Sequence, residues 1–241
     1  MKIAFISDLH LSPTTPHANK IFAELMIKWQ AELDALYILG DFFDYWLGDD
    51  DSNDFIINIK NIFKQFTKHK PIYFITGNHD FGLGKVFVRE TGITKLRDCS
   101  ILKSGNNRIL LSHGDVFCSL DIQYQRMKTI LQNPILIAIG RKTPLSWRHK
   151  LKEFLENKSA ASFNLKPAHT YHVVDDTVIE IAKKHKANIV IHGHTHRPGK
   201  YEIIRDSYTV NRFEIPDWAD RNPGGYILLT DGNLKVFYPE N

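Results

Sequence analysis

Five short strings in this 241-residue chain carry side chains able to bind a cation or move a proton. In order they are Asp8-Leu9-His10, Gly40-Asp41 with Asp44 following, Gly77-Asn78-His79-Asp80, His113-Gly114, and Gly193-His194-Thr195-His196. Carboxylate oxygens, an amide oxygen and imidazole nitrogens together suit hard-to-borderline divalent ions such as Mn²⁺, Fe²⁺ or Zn²⁺. In an extended segment, residues two apart point to the same side. Asp8 with His10, and His194 with His196, can therefore each aim a pair of donors at one place. Two ions held side by side need a bridging group, which a central carboxylate can supply with its two oxygens, and Asp41 is the obvious choice. The adjoining Gly40, Gly77, Gly114 and Gly193 permit unusual dihedrals or close backbone approach. Each string alone is weak, since Asp-x-His is common on surfaces and Gly-Asp or His-Gly often marks a turn. Gly-Asn-His-Asp, however, arises by chance in only about one chain in a thousand of this length. All five in order, each closing an apolar run, argue for a single site.

Those apolar runs read as strands: 2–6, 35–39, 71–76, 108–111 and 188–191, all rich in β-branched or aromatic residues. Helical period fills the gaps, with Ile21, Leu25 and Trp29 on one face of 18–30, and Phe55, Ile59, Ile62 and Phe66 on one face of 54–67. Strands alternating with helices define an α/β fold, and the carboxyl ends of such strands share one edge, where all five strings would gather. The tail differs. Segments 201–204, 207–210, 225–229 and 234–238 read as strands without intervening helices, the last two joined by an Asp231-Gly232-Asn233 turn. They are expected to form a second, largely antiparallel sheet. The stretch 119–168 breaks the rhythm, being helical, basic and punctuated by Pro134, Gly140, Pro144 and Pro167. It reads as an inserted cap, leaving 1–118 and 169–241 as the core.

Composition excludes several classes. With 43% hydrophobic and 24% charged residues the chain can bury a core and is not disordered. A net charge of +4 is mild for this length and points to no nucleic-acid partner. The opening apolar run meets Ser7 and Asp8 too soon for a signal peptide, and no run approaches the roughly 20 residues of a membrane span. Cys99 and Cys118 lack C-x-x-C spacing and read as small buried hydrophobes in a reducing cytoplasm. A monomer is the working expectation.

Across nearly the whole chain, D-x-H, G-D-x-x-D, G-N-H-D, an isolated His-Gly and G-H-x-H resemble the signature of the calcineurin-like metallophosphoesterases. The resemblance implies two mixed β-sheets packed face to face, flanked by helices, and two divalent ions that activate water for in-line attack on phosphorus. It places one ion with Asp8, His10, Asp41 and His196, and the other with Asp41, Asn78, His113 and His194. His79 is implied beside the leaving group as proton donor or charge stabiliser, oriented by the Asp44 carboxylate. For Asp44 and Asp80 the alternative is local turn or cap hydrogen bonding.

Longer stretches, 41–50, 78–84 and 191–197, are similar to the UDP-2,3-diacylglucosamine diphosphatases of lipid A biosynthesis. That resemblance implies Mn²⁺, hydrolysis of a pyrophosphate to UMP and 2,3-diacylglucosamine 1-phosphate (lipid X), and action at the cytoplasmic face of the inner membrane as a peripheral protein. It also implies Asp121, Ser159 and Lys166 as substrate contacts beside Asn78, His79 and His194. The cap has a matching character. Within 141–158, Arg141, Lys142, Arg148, Lys150, Lys152 and Lys158 face only Glu153 and Glu156, while Trp147, Leu151, Phe154 and Leu155 share one helical side. A basic amphipathic helix with an interfacial tryptophan suits an anionic membrane surface; a cap helix packed on the core is the alternative. Ile130, Leu131, Ile135, Leu136 and Ile139 are candidates for an acyl groove. One departure stands out: these diphosphatases usually have Arg where this chain has His79. Arg offers a permanent, two-pronged donor to phosphate, so the change implies either altered pH dependence or another substrate. A phosphodiesterase or pyrophosphatase acting on a soluble nucleotide is the competing reading, and a non-catalytic scaffold is disfavoured because every ligand position is filled. Phe213, Trp218, Arg221 and Asn222 resemble the stretch after the metal site in the same family and receive no role.

Overall fold

The computed structural model describes residues 1–140, 142–163, 168–218 and 224–238, and the backbone alone at 134, 155–163, 168 and 169. The first half alternates as its periodicity requires: β1 (Lys2–Ile6), α1 (Pro16–Glu32), β2 (Ala35–Leu39), α2 (Asp54–Thr67), β3 (Ile72–Ile75), α3 (Lys85–Thr91) and β4 (Thr94–Lys95). The hairpin of β5 (Ser100–Ser104) and β6 (Asn107–Leu111) leads into three helices, α4 (Ile122–Leu131), α5 (Pro134–Gly140) and α6 (Leu145–Phe163). Then follow α7 (Asp175–His185), β7 (Ile189–His192), β8 (Gly199–Arg205), β9 (Tyr208–Glu214), β10 (Tyr226–Thr230) and β11 (Asn233–Phe237).

The strands form a six-stranded sheet, β11-β10-β1-β2-β3-β4, and a five-stranded sheet, β5-β6-β7-β9-β8. Both are mixed: β1 to β4 run parallel with β10 and β11 antiparallel, while β6, β7 and β9 run parallel between antiparallel β5 and β8. The two sheets face one another between helices, as the α/β reading with two packed mixed sheets requires.

The expectation of a separate antiparallel tail sheet is corrected. β10 pairs with β1 and carries β11 outward, whereas β8 and β9 join the second sheet, with β9 parallel to β7. The reason is burial: β1 needs a neighbour on its other edge, and β10 supplies one whose Ile227 and Leu229 enter the same inter-sheet core as Ile3 and Phe5.

Alternation along the strands separates three apolar layers. Ala4, Ile6, Leu36 and Ile38 face α1, α2 and α3, while Ile3, Phe5, Tyr37 and Leu39 meet Ile109, Leu111, Ile189 and Ile191 of the other sheet. Leu110, Val190 and Val210 pack on Val178, Ile179 and Ala182 of α7. The helix faces are rotated slightly from expectation. α1 buries Phe22, Met26 and Trp29 with Ile21 and Leu25 half-buried beside them, and α2 buries Ile56, Ile59, Phe63 and Phe66 with Phe55 and Ile62 at its margin. Aromatic bulk takes the centre because it can meet Phe42, whose ring centroid lies 5.0 Å from Phe22 and 5.1 Å from Phe63.

Phe63 is fully buried and packs on the Phe42 ring rather than on any of the cation-facing side chains. Phe63→Ala should therefore lower stability by about 3–5 kcal/mol, read as a lower denaturant midpoint with unchanged slope, without changing the chemistry of the folded molecules.

Candidate metal centre

The five strings leave the carboxyl ends of β1, β2 and β3 in one sheet and β6 and β7 in the other, so the cluster forms across two facing sheet edges rather than along one. Backbone hydrogen bonds lace the loops together. The amides of Asp8 and His10 donate to the carbonyls of Gly40 and Asp41 at 3.1 Å, and Gly193 N–H donates to the His113 carbonyl at 2.8 Å. Asp80, fully buried, accepts from Phe42 N–H at 2.9 Å and Gly77 N–H at 2.7 Å, clamping the second string to the third.

Asp8 and Asp41 each divide their two oxygens between scaffold and site. Asp8 Oδ2 accepts from the His194 amide at 2.9 Å, leaving Oδ1 toward His196 Nε2 at 3.7 Å. Asp41 Oδ1 accepts from the His79 amide at 2.8 Å. Its Oδ2 lies 3.5 Å from His113 Nε2 and 4.0 Å from both His10 Nε2 and His79 Nε2. Asp41 Oδ2 thus faces the imidazoles of His113, His10 and His79, while Oδ1 is held by backbone.

These approaches are sterically demanding. A Cβ on Gly77 would stand 2.1 Å from Asp41 Oδ1, and one on Gly193 would stand 2.0 Å from Asp8 Oδ2. Asp8, His10, Asp41, His194 and His196 all adopt left-handed backbone, with φ between 47° and 76°. Such strain at non-glycine residues persists only where the surroundings over-determine it, and it clusters at functional sites.

Three overlapping groups of donors result, each with its atoms within 4.8 Å of one another: Asp8, His10 and His196; His10, Asp41 and His79; and Asp41, His113 and His194. Asn78 Oδ1 joins the last group, 3.0 Å from His113 Nε2, which is also 3.1 Å from His194 Nδ1. His113 Nδ1 lies 2.9 Å from the Leu39 carbonyl, an acceptor only, so the proton belongs on Nδ1 and Nε2 points into the cluster.

Burial would raise the pKa of Asp41, but His113, His79 and His10 hold it below the ordinary carboxylate value. Burial likewise opposes ionisation of Asp8, and the imidazoles, His196 foremost, overcome it. Burial and then His113 push His194 down to about 4. His113 itself rises to about 9, burial being outweighed by Asp41, Asp8 and Asp115. The buried carboxylates thus demand positive charge, and a proton on His113 answers it in the metal-free protein. Asp8 Oδ1 is buried without a hydrogen-bond partner among the described residues, which is what a cation-binding oxygen would show. The donor set of carboxylate, amide and imidazole fits divalent ions.

A model of the calcineurin-like phosphoesterases matches residues 1–198. The chain belongs to that family. It is 37% identical over 234 residues to a UDP-2,3-diacylglucosamine hydrolase of Pseudomonas aeruginosa, covering 97% of this chain and 96% of that protein. It is 36% identical to one from Chromobacterium violaceum, with 98% of each covered. A solved archaeal phosphodiesterase aligns with 99% of this chain and 100% of its own, at a TM-score of 0.46 and 14% identity.

In this phosphoesterase the Asp44 carboxylate does not orient His79. His79 Nδ1 contacts the Asp44 backbone carbonyl at 2.5 Å, and the carboxylate is turned toward Lys152 of α6 at 3.6 Å, with Lys152 also 5.2 Å from the Tyr45 ring centroid. A carbonyl cannot donate, so Nδ1 carries the hydrogen and His79 Nε2 faces the cluster. Asp121 caps α4, accepting from the Tyr124 amide at 3.0 Å. Lys166, Arg221, Asn222 and the Ser159 side chain lie outside the described residues. Phe213 lies in the inter-sheet core and Trp218 in the helix-facing core.

Sequence reasoning passed over two groups beside the cluster. Asp115, buried beside His113, holds α4 down through Tyr124 Oη at 2.7 Å and Lys128 Nζ at 2.8 Å. Glu214 accepts from Thr195 Oγ1 at 2.5 Å and the Arg197 amide at 2.8 Å, fixing the loop that carries His194 and His196, and is paired with Arg212 at 3.1 Å. Arg212 Nη1 in turn donates to His192 Nε2 at 2.9 Å. Asp115 directly follows the His113-Gly114 string and Glu214 closes β9, and neither position by itself marks a role.

Asp80→Asn would turn an amide NH₂ against one of two buried N–H donors. It should destabilise the metal-free protein by about 2–3 kcal/mol, measurable by denaturant unfolding, and loosen the link between the Asp41 and Asn78 loops, measurable as faster amide exchange at Phe42 and Gly77.

Proposed function

We propose that this protein hydrolyses the pyrophosphate bond of UDP-2,3-diacylglucosamine, releasing UMP and 2,3-diacylglucosamine 1-phosphate. The observation that carries the reading is the convergence of two donor groups on Asp41 Oδ2, flanked by a helical cap whose apolar side chains face outward. The near-full-length likeness to UDP-2,3-diacylglucosamine hydrolases supports the same substrate.

One ion would be held by Asp8, His10, Asp41 and His196, and the other by Asp41, Asn78, His113 and His194. When bound, two divalent cations, here read as Mn²⁺, lower the pKa of water and neutralise phosphoryl oxygens. The chain's own groups do the rest. The backbone contacts of Asp8 and Asp41 pre-set the donors, so little reorganisation accompanies charge development. His79, its Nδ1 proton tied to the Asp44 carbonyl, can give up or accept a proton only at Nε2, which faces the cluster and suits delivery to a leaving oxygen.

The cap supplies the other half of the substrate's chemistry. Trp147, Leu151 and Phe154 of α6 are 68%, 53% and 62% exposed, so this face is not packed on the core. Ile130, Ile135, Leu136 and Ile139 are exposed too, and Ile135, Ala138, Ile139 and Lys142 line a hollow of about 330 Å³. Contiguous exposed apolar surface of this kind marks a lipid or partner site. Acyl chains and the surface of an anionic bilayer fit it, with Lys142 in its lining and Lys150 exposed on α6. No helix among the described residues is long and apolar enough to cross a membrane, consistent with peripheral action at the cytoplasmic face of the inner membrane. Asp121, Ser159 and Lys166 are proposed to contact the glucosamine and phosphate of the lipid.

Metal-stripped protein resupplied with Mn²⁺ should release UMP from the acylated nucleotide, and Asp41→Ala should lower turnover by roughly 10²–10³-fold or more. Rapid cleavage of a simple phosphodiester with no UMP from the lipid nucleotide would favour a soluble substrate instead.

Paired substitutions test the cap separately. Leu151→Gln with Phe154→Gln should raise KM for the acylated nucleotide by roughly tenfold or more, from about 1.5–3 kcal/mol per buried apolar side chain, while leaving hydrolysis of a short phosphodiester unchanged.

A further inference from the structure

Asp217 has the features of a working residue and no part in the site so far described. It is 1% exposed, and neither carboxylate oxygen has a hydrogen-bond partner among the described residues. The backbone around it is tied to the first string and to the residue just before the fifth. Ile215 N–H donates to the His192 carbonyl at 2.8 Å and Trp218 N–H to the Asp8 carbonyl at 2.9 Å, while the Trp218 indole donates to the Gly225 carbonyl at 2.9 Å. The side chain so placed meets His196, with Asp217 Oδ2 3.6 Å from Nδ1. The other ring nitrogen, Nε2, lies 3.7 Å from Asp8 Oδ1. The imidazole is therefore held between two buried carboxylates, one at each nitrogen.

A buried carboxyl group without donors is costly, so a role must offset it. The donor facing it is His196 Nδ1, and a shift of a few tenths of an ångström completes that hydrogen bond. With the hydrogen on Nδ1, the Nε2 lone pair is directed toward Asp8 and His10. Carboxylate–imidazole–metal relays of this type fix the tautomer and ring plane and raise the basicity of the ligating nitrogen. We propose that Asp217 is the positioning residue of His196, fixing its tautomer and ring plane so that Nε2 is presented to the cation shared with Asp8 and His10. Glu214 acts differently, since it holds the loop backbone through Thr195 and Arg197 rather than the ring.

The inference rests on the two-cation reading, and the test separates the two. Metal-stripped wild type, Asp217→Ala and Asp217→Asn are titrated with Mn²⁺, following the free aquo ion by electron paramagnetic resonance. Wild type should bind two ions; Asp217→Ala should weaken one by about 10–100-fold and leave the other unchanged, with Asp217→Asn, which retains an acceptor, losing less. In a His196→Ala background the same substitutions should change affinity less than twofold. Thermal melts add a readout that a merely structural residue would not give. The rise in Tm on adding Mn²⁺ should be smaller for Asp217→Asn than for wild type, each measured against its own metal-free melting point. Should Asp217→Ala fail to fold, Asp217→Asn carries the comparison in both backgrounds. Equal Mn²⁺ affinities in wild type and variant, or equal losses with and without His196, would overturn the role of Asp217 and leave the two-cation reading standing. Wild-type protein that binds no Mn²⁺ would overturn both.

Discussion

Two buried carboxylates, Asp8 and Asp41, pointed at one another's imidazoles are the constraint on which the structure turns. Removing like charges from water is unfavourable unless each oxygen finds a donor or a cation. The chain satisfies half of that demand with backbone: His194 N–H on Asp8 and His79 N–H on Asp41. The other half is left facing imidazoles. A site so built is held in readiness by the fold and completed by cations. The left-handed backbone at Asp8, His10, Asp41, His194 and His196 belongs to the same account. Five strained residues survive because they are bound to three apolar layers that do not yield.

The layers explain why the strain is confined to loop ends. β1, β2 and β3 approach the cluster from one sheet and β6 and β7 from the other, and each strand is locked by side chains on both faces. Closing two sheets over a shared core brings their carboxyl edges together, so residues as far apart as Asp8 and His194 meet through a backbone hydrogen bond. A single open sheet would have spread the same donors along a line.

The parts legible in the sequence were those governed by local rules. β1 and β2 follow the apolar runs residue for residue, α2 spans the expected 54–67, and Asp231-Gly232 takes the two positive φ values of a tight hairpin turn. What was not legible depended on long-range pairing. Whether β10 would join β1 or the sheet of β8 and β9 is decided by which apolar face it completes, and nothing within residues 226–230 records that. The rotation of α1 toward Phe22 and Met26 reflects aromatic rings on other elements. At the site, imidazole and carboxylate strings announced themselves, whereas the contact of His79 is made by a backbone carbonyl that any residue at position 44 would supply. Asp115, Glu214 and Asp217 act as single carboxylates beyond the strings, and a lone Asp or Glu after a strand looks like any other.

The cap shows how the same charges govern access. Its first helix is held by Asp115 through Lys128 and Tyr124, next to His113 and His194. Its last helix is held by Arg148, which reaches the Leu47 carbonyl at 2.8 Å and Asp50 Oδ1 at 2.7 Å, and by Lys152 facing Asp44 beside His79. The cap is thus anchored by polar contacts at both ends of the cluster while its apolar side chains stay outward. Anchors of the opposite kind, with the apolar face packed down, would have sealed the cluster and left a charged roof. With the polar groups directed inward and the apolar groups outward, the space between suits a molecule whose phosphates lie over Asp41 and whose hydrocarbon leaves along α5 and α6. Arg148 illustrates the division: read from sequence as one charge on a solvated basic face, it is in fact buried, because an arginine fork can satisfy a carbonyl and a carboxylate at once. The lysines left over, Lys142 and Lys150, are what α6 and the turn before it present to solvent.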